Sequence, residues 1–130
     1  MREIGETETR IQSAFRQVVE KLRRTLTQIQ GVILVGPEGV IAHVVDDAQL
    51  NFDLIAEEYA MLLRVARSAS EDSGAGNLLE NILVSEKSVI IARSVSSDHS
   101  LILLSRAQDQ VGRARYELKQ AARDLSKSIV

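Results

Sequence analysis

The sequence contains no cysteine. That removes disulfides, thiolate metal sites and a cysteine nucleophile together. Tryptophan is also absent and aromatic residues make up only 3% of the chain, too few for a base-stacking platform or an aromatic ligand cage. Two histidines, His43 and His99, are too few for a histidine-rich metal centre. No apolar run reaches the roughly 20 residues that span a bilayer. The opening MREIGETETR is charged and polar with no apolar segment behind it, unlike a secretory signal. One proline and seven glycines argue against a fibrous or disordered chain. Charge of one sign is not in excess either: 16 basic and 18 acidic side chains leave a net charge of -2, with no general pull toward nucleic acid or a membrane. The expectation is a cytoplasmic protein with no cofactor, no metal, no nucleic-acid partner and no membrane insertion.

What is present is ordinary for one soluble domain. The chain has 130 residues, 45% apolar and 26% charged, enough to bury a real core. Residues 1–8 are polar and expected to fray. Beyond them Ile11, Phe15, Val18, Leu22, Leu26 and Ile29 recur every three or four residues, the stripe of a helix of about 20 residues. Thr7 or Thr9 is its expected N-cap and Gly31 its stop. GVILV (31–35) and VIAHVV (40–45) then flank Gly36-Pro37-Glu38-Gly39, which is turn chemistry and predicts a β-hairpin.

A second helix is expected over 52–69, with Asn51 as its cap. Phe52, Ile55, Ala56, Tyr59, Leu62, Leu63 and Ala66 form one wide apolar face; Leu54, Met61 and Val65 form another strip roughly opposite. A helix apolar on two sides needs two things to bury against, and a chain this short supplies only one. A polar loop (70–77) precedes three strand-like runs, LLENILVS (78–85), SVIIARSV (88–95) and SLILLSR (100–106). A last helix is expected over 109–129 with Asp109 as its N-cap. The later strands are apolar at both alternate sets of positions, so both sheet faces must be covered. The order αββαβββα therefore predicts an α+β three-layer sandwich: a five-stranded antiparallel sheet, one helix on one face and two on the other. If 78–85 lies at the edge, its unpaired backbone invites another chain. Together with the second strip on the central helix this predicts a homodimer.

Chemical motifs are weak. Gly36-Pro37-Glu38-Gly39 lacks the Lys-Ser/Thr of a phosphate loop and a strand follows it. Gly74-Ala75-Gly76-Asn77 reads as a linker. Asp46 and Asp47 with Glu38 are a poor cation site. His43 reads as a partly buried structural histidine. His99 beside Asp98 lacks a held nucleophile. Arg23, Arg24, Arg113, Arg115, Lys119 and Arg123, on the outer helices, read mainly as solvated and locally paired. An anionic docking surface is the weaker reading, because no Trp or Phe accompanies them.

The helix leading into GVILVGPEGVIAHVV, the long central helix, the strands VIIARSV and SLILLSR after LLENILVS, and the closing GRARYELKQAARDL together resemble the roadblock/dynein light-chain domain family, most of all its bacterial MglB-type branch. The resemblance covers about residues 11–126. It implies dimers whose edge strands join into one sheet and whose central helices pack side by side. It also implies a small Ras-like GTPase as partner, bound through those helices and usually stimulated to hydrolyse GTP without an inserted arginine. Carried onto this chain, the GTPase contacts would be Asp53, Glu57, Glu58, Met61, Arg64, Val65 and Arg67. The dimer contacts would be Leu54, Met61, Leu79, Asn81, Ile82 and Leu83. The chain itself would be a regulator without catalytic residues. A dimeric scaffold for motor or signalling complexes is the alternative, and a small-ligand sensor, with Tyr59 and His43 as its polar groups, a distant third.

Overall fold

The structure, a computed structural model, describes residues 2–106 and 108–129, with side chains from Arg10 onward. The chain runs α1 (Arg2–Thr25), β1 (Ile29–Gly36), β2 (Gly39–Val45), α2 (Phe52–Asp72), β3 (Glu80–Val84), β4 (Val89–Ser94), β5 (Ser100–Ser105) and α3 (Val111–Ser126). The strands form one antiparallel sheet in the order β2-β1-β5-β4-β3. Two locally connected units, the β1–β2 hairpin and the β3–β4–β5 meander, thus meet where β1 pairs with β5. Ile33 stands opposite Ile102 there, and Leu34 opposite Leu101.

Strand alternation sorts the core into two layers. Val32, Leu34, Val89, Ile91, Leu101 and Leu103 face α1 and α3, where they meet Phe15, Leu22, Leu118 and Leu125. Ile33, Val35, Ile90, Ala92, Ile102 and Leu104 face α2 and meet Tyr59 and Leu63. The continuous apolar strands therefore lie between helices on both sides, as their composition requires. Each fully buried Leu or Ile contributes about 1.5–3 kcal/mol of transfer free energy.

The element ends follow local chemistry. Asn51 caps α2: its side-chain oxygen accepts the Leu54 N–H at 3.1 Å. Gly39, after Pro37-Glu38, sits at φ +121°, a conformation that costs glycine nothing and other residues much.

Several boundaries differ from the sequence expectation. α1 begins at Arg2, which places Thr7 and Thr9 inside it and not at its cap. It ends at Thr25, and Gly31 is an interior residue of β1, not a helix stop. Gln28, at φ 60°, makes that early exit, and its carbonyl accepts the Arg106 N–H at 3.1 Å. α2 runs on to Asp72, so the polar segment from residue 70 is at first helical. Asp109 belongs to a 3-10 turn, Gln108–Gln110, and is not the cap of α3. His43 is exposed, not partly buried; the Phe52 ring covers one side of its imidazole, with centroids 4.1 Å apart.

Candidate functional site

Five strands spaced about 4.8 Å apart make a sheet face roughly 20 Å wide, and a helix with its side chains covers about 10 Å. α1 and α3 lie side by side and cover one face. α2 alone cannot cover the other. It packs near β2 at its N-terminal end, where Phe52 meets His43. The side of α2 turned away from the sheet and the β3 edge make up the candidate site.

Leu54, Met61 and Val65 are 52%, 50% and 65% exposed. Their spacing of seven and four residues sets them on one line along α2. Leu62, assigned from sequence to the inward face, is 39% exposed and widens this strip. Asp53, Glu57 and Glu58 stand exposed beside it, and among the described residues none of them meets a basic group. Arg64 is exposed as well. Arg67 is half-buried and donates to the hydroxyl of Ser100 on β5. Both arginines line a cleft of about 250 Å³ beside Asp98 and the Gly36–Gly39 turn.

β3 is an edge strand, bonded to β4 alone. Its register gives its side chains distinct roles. Leu83 and Asn81 pair with Ile90 and Ala92 and so share the α2 face, whereas Ile82 and Val84 pair with Ile91 and Val89 and share the α3 face. Leu79, Ile82, Leu83 and Val84 are all exposed, Leu79 and Val84 by 60% and 64%, while Asn81 is half-buried. Glu80 anchors the strand: it accepts from Arg115 of α3 at 2.8 Å and lies 3.8 Å from Arg93. The structure thus brings Leu54, Met61 and Val65 to the same side of the sheet as Leu83 and Asn81, and puts Ile82 on the opposite side.

A polar network that the sequence reading missed holds the N-terminal end of α2. Asp47 is buried in the loop before the helix and accepts from the Gln49 backbone N–H at 3.0 Å, from Gln30 at 3.2 Å and from Arg106. The Gln49 N–H bond first, then the Gln30 amide and the Arg106 charge, hold its carboxyl below the ordinary 3.8. Gln30 in turn accepts from the buried Ser88 hydroxyl at 2.7 Å. Asp46 pairs with Arg23 at 2.7 Å. Neither aspartate is therefore free for a cation, and no cluster of three metal-ligating residues occurs among the described residues.

At the β4–β5 turn, Ser96 Oγ and Asp98 Oδ1 lie 2.9 and 3.0 Å from the same atom, Nδ1 of His99. A nucleophile relay needs them on opposite ring nitrogens, so this is a turn and not a triad. No described helix is long and apolar enough to cross a membrane.

No protein-family model and no curated protein matches the sequence. Solved structures do. MglB of Myxococcus xanthus superposes with a TM-score of 0.77 over 94% of this chain and 89% of that one, at 16% identity. A Roadblock/LC7 domain from Streptomyces avermitilis gives 0.70 over 85% and 92%, at 16% identity. The chain has the roadblock/LC7 fold. MglC of Myxococcus xanthus shares 28% of its residues with it, at a TM-score of 0.61 over 88% of this chain and 98% of that one. These superpositions cover 85% to 94% of the chain.

Proposed function

We propose that this chain is a homodimeric regulator that binds a small Ras-like GTPase on its α2 side and stimulates hydrolysis of the bound GTP. The observation that carries the reading is the exposed line Leu54, Met61 and Val65 on a helix already packed by its other side. Apolar surface of this kind is stabilised by a second chain. Two copies would join through the free β3 edge, with Leu79, Asn81, Ile82 and Leu83, and through Leu54 and Met61. Asp53, Glu57, Glu58, Met61, Arg64, Val65 and Arg67 would meet the GTPase. The roadblock resemblance supports both the dimer and the class of partner. Arg67 is tied to Ser100, and no arginine finger is invoked: the regulator would favour the partner's own hydrolysing arrangement.

The test is GTP hydrolysis by a candidate GTPase recovered on the GTP-analogue form, with and without this protein, alongside light-scattering masses. Wild type runs as a dimer and raises the rate. Leu83→Lys lowers the mass to that of one chain, and Met61→Asp weakens dimer or complex. Unchanged masses for both variants would sink the interface. A bound GTPase with an unchanged rate would leave a scaffold in place of an activator.

A further inference from the structure

The net charge of -2 conceals a segregation. Arg23 and Arg115, two of the cations on the outer helices, are spent on Asp46 and Glu80. Arg113, Lys119 and Arg123 of α3 are exposed and, among the described residues, paired with no carboxylate. They follow helical spacing with Tyr116 between them, so all four share the outward side of α3. That stripe runs for about 15 Å at 1.5 Å per residue. The acids of α3, Glu117 and Asp124, are half-buried on its flank. Beside it, α1 contributes Lys21 and Arg24, exposed and, among the described residues, in no ion pair, with Glu20 as the one exposed acid of that stretch. Tyr116 is 61% exposed, the most exposed aromatic group of the described residues and the one that the composition gave no reason to expect here.

We infer that the α1/α3 face is a peripheral docking surface for an anionic lipid bilayer. The two helices lie side by side, joined at one end where Thr27 donates to Gln110 at 3.2 Å, and their inner sides are fixed on the sheet. The charged side chains stand on the sides of both helices turned away from the sheet. Cations held over such a plane gain attraction from every anionic headgroup within a Debye length, and a tyrosine among them matches the headgroup level. Nucleic acid is the poorer occupant. A major groove takes one protruding helix, whereas α3 is flanked by α1, and a lone tyrosine is no stacking platform for bases. The surface lies across the sheet from the strip on α2, so a membrane on one side leaves the other open to a protein partner.

Flotation with vesicles tests this on the full-length chain. Wild type binds vesicles of phosphatidylcholine mixed with phosphatidylglycerol at low salt, ignores phosphatidylcholine alone, and is released by high salt. Arg113→Gln with Arg123→Gln weakens binding by about tenfold or more, from the usual value of a basic residue near an anionic surface. Tyr116→Ser weakens it severalfold. Arg64→Gln, a neutralised cation on the opposite side, binds like wild type. Arg113, Arg123, Tyr116 and Arg64 are all solvent-facing, so unchanged melting curves certify the folds. Absence of binding to the mixed vesicles, equal binding by the double variant, or tighter capture by duplex DNA than by vesicles would each overturn the inference.

Discussion

The two faces of the sheet are built from strands of the same character, yet they are closed differently. On the α1/α3 face, two helices roughly match the sheet's width, and Phe15, Leu22, Leu118 and Leu125 are 2% exposed or less. On the α2 face, one helix serves the same number of strands, and Leu54, Met61 and Val65 remain half-exposed or more. The contrast teaches that apolar residues of equal hydrophobicity do different work according to what covers them. Residues enclosed between sheet and helix on either face stabilise the protomer; Leu54, Met61 and Val65, left against solvent, do not.

That contrast can be broken by mutation, most forcefully in the closed face. Leu118→Ala should cost about 2–5 kcal/mol in the isolated protomer, because a fully enclosed site leaves a cavity. Val65→Ala should change protomer stability by no more than about 0.5 kcal/mol. Denaturant titrations at concentrations too low for association check both. Equal losses would show that α2 is as enclosed as α3.

The next effect is smaller and of opposite sign. The Tyr59 hydroxyl is buried beneath α2 with no hydrogen-bond partner among the described residues, and burial pushes its pKa from 10.0 up to about 12. Removing an unpaired buried hydroxyl relieves its desolvation, so Tyr59→Phe should stabilise the protomer by about 1 kcal/mol. The raised pKa means that the folded chain holds this proton more tightly than the unfolded one. Its contribution is present below pH 10 and lost between 10 and about 12. Thermal melts across that window should fall less steeply for the Phe variant.

The Asp47 network sharpens the comparison at the acid end. The folded carboxyl lies below the ordinary 3.8, so its stabilisation is present above that value and fades as pH falls through the folded pKa. Asp47→Asn removes this dependence while Gln49 can still be bonded. The variant should be less stable than wild type near neutrality and should converge with it in acid. A pH series of melting temperatures would show parallel curves if the network contributes nothing.

Much of this architecture was written locally. Unbroken apolar character in SVIIARSV and SLILLSR demanded cover on both faces, and the strip on the central helix stood out against its polar neighbours. What escaped depended on distance. Gln30, Ser88 and Arg106 look like ordinary polar residues in sequence, and only the packing of three separate strand ends around the loop unites them with Asp47. Leu62 groups with the inward residues in sequence, but it lies on the flank of the buried Ala56, Tyr59 and Leu63 side and stays 39% exposed. Ile82 and Leu83 are adjacent apolar letters, and strand pleating sends them to opposite faces.

The pairing of β1 with β5 also fixes the order in which the molecule can be completed. β1 spans residues 29–36, and its central-sheet partner spans 100–105. Synthesis at about 5–20 residues per second separates their emergence by roughly 3–13 seconds. Throughout that interval the first hairpin carries the strand that will be its more buried one with one side unzipped. The newborn chain is therefore most exposed to mispairing not at its final edge but at what will become its centre, and arrival of β5 is the event that ends the danger.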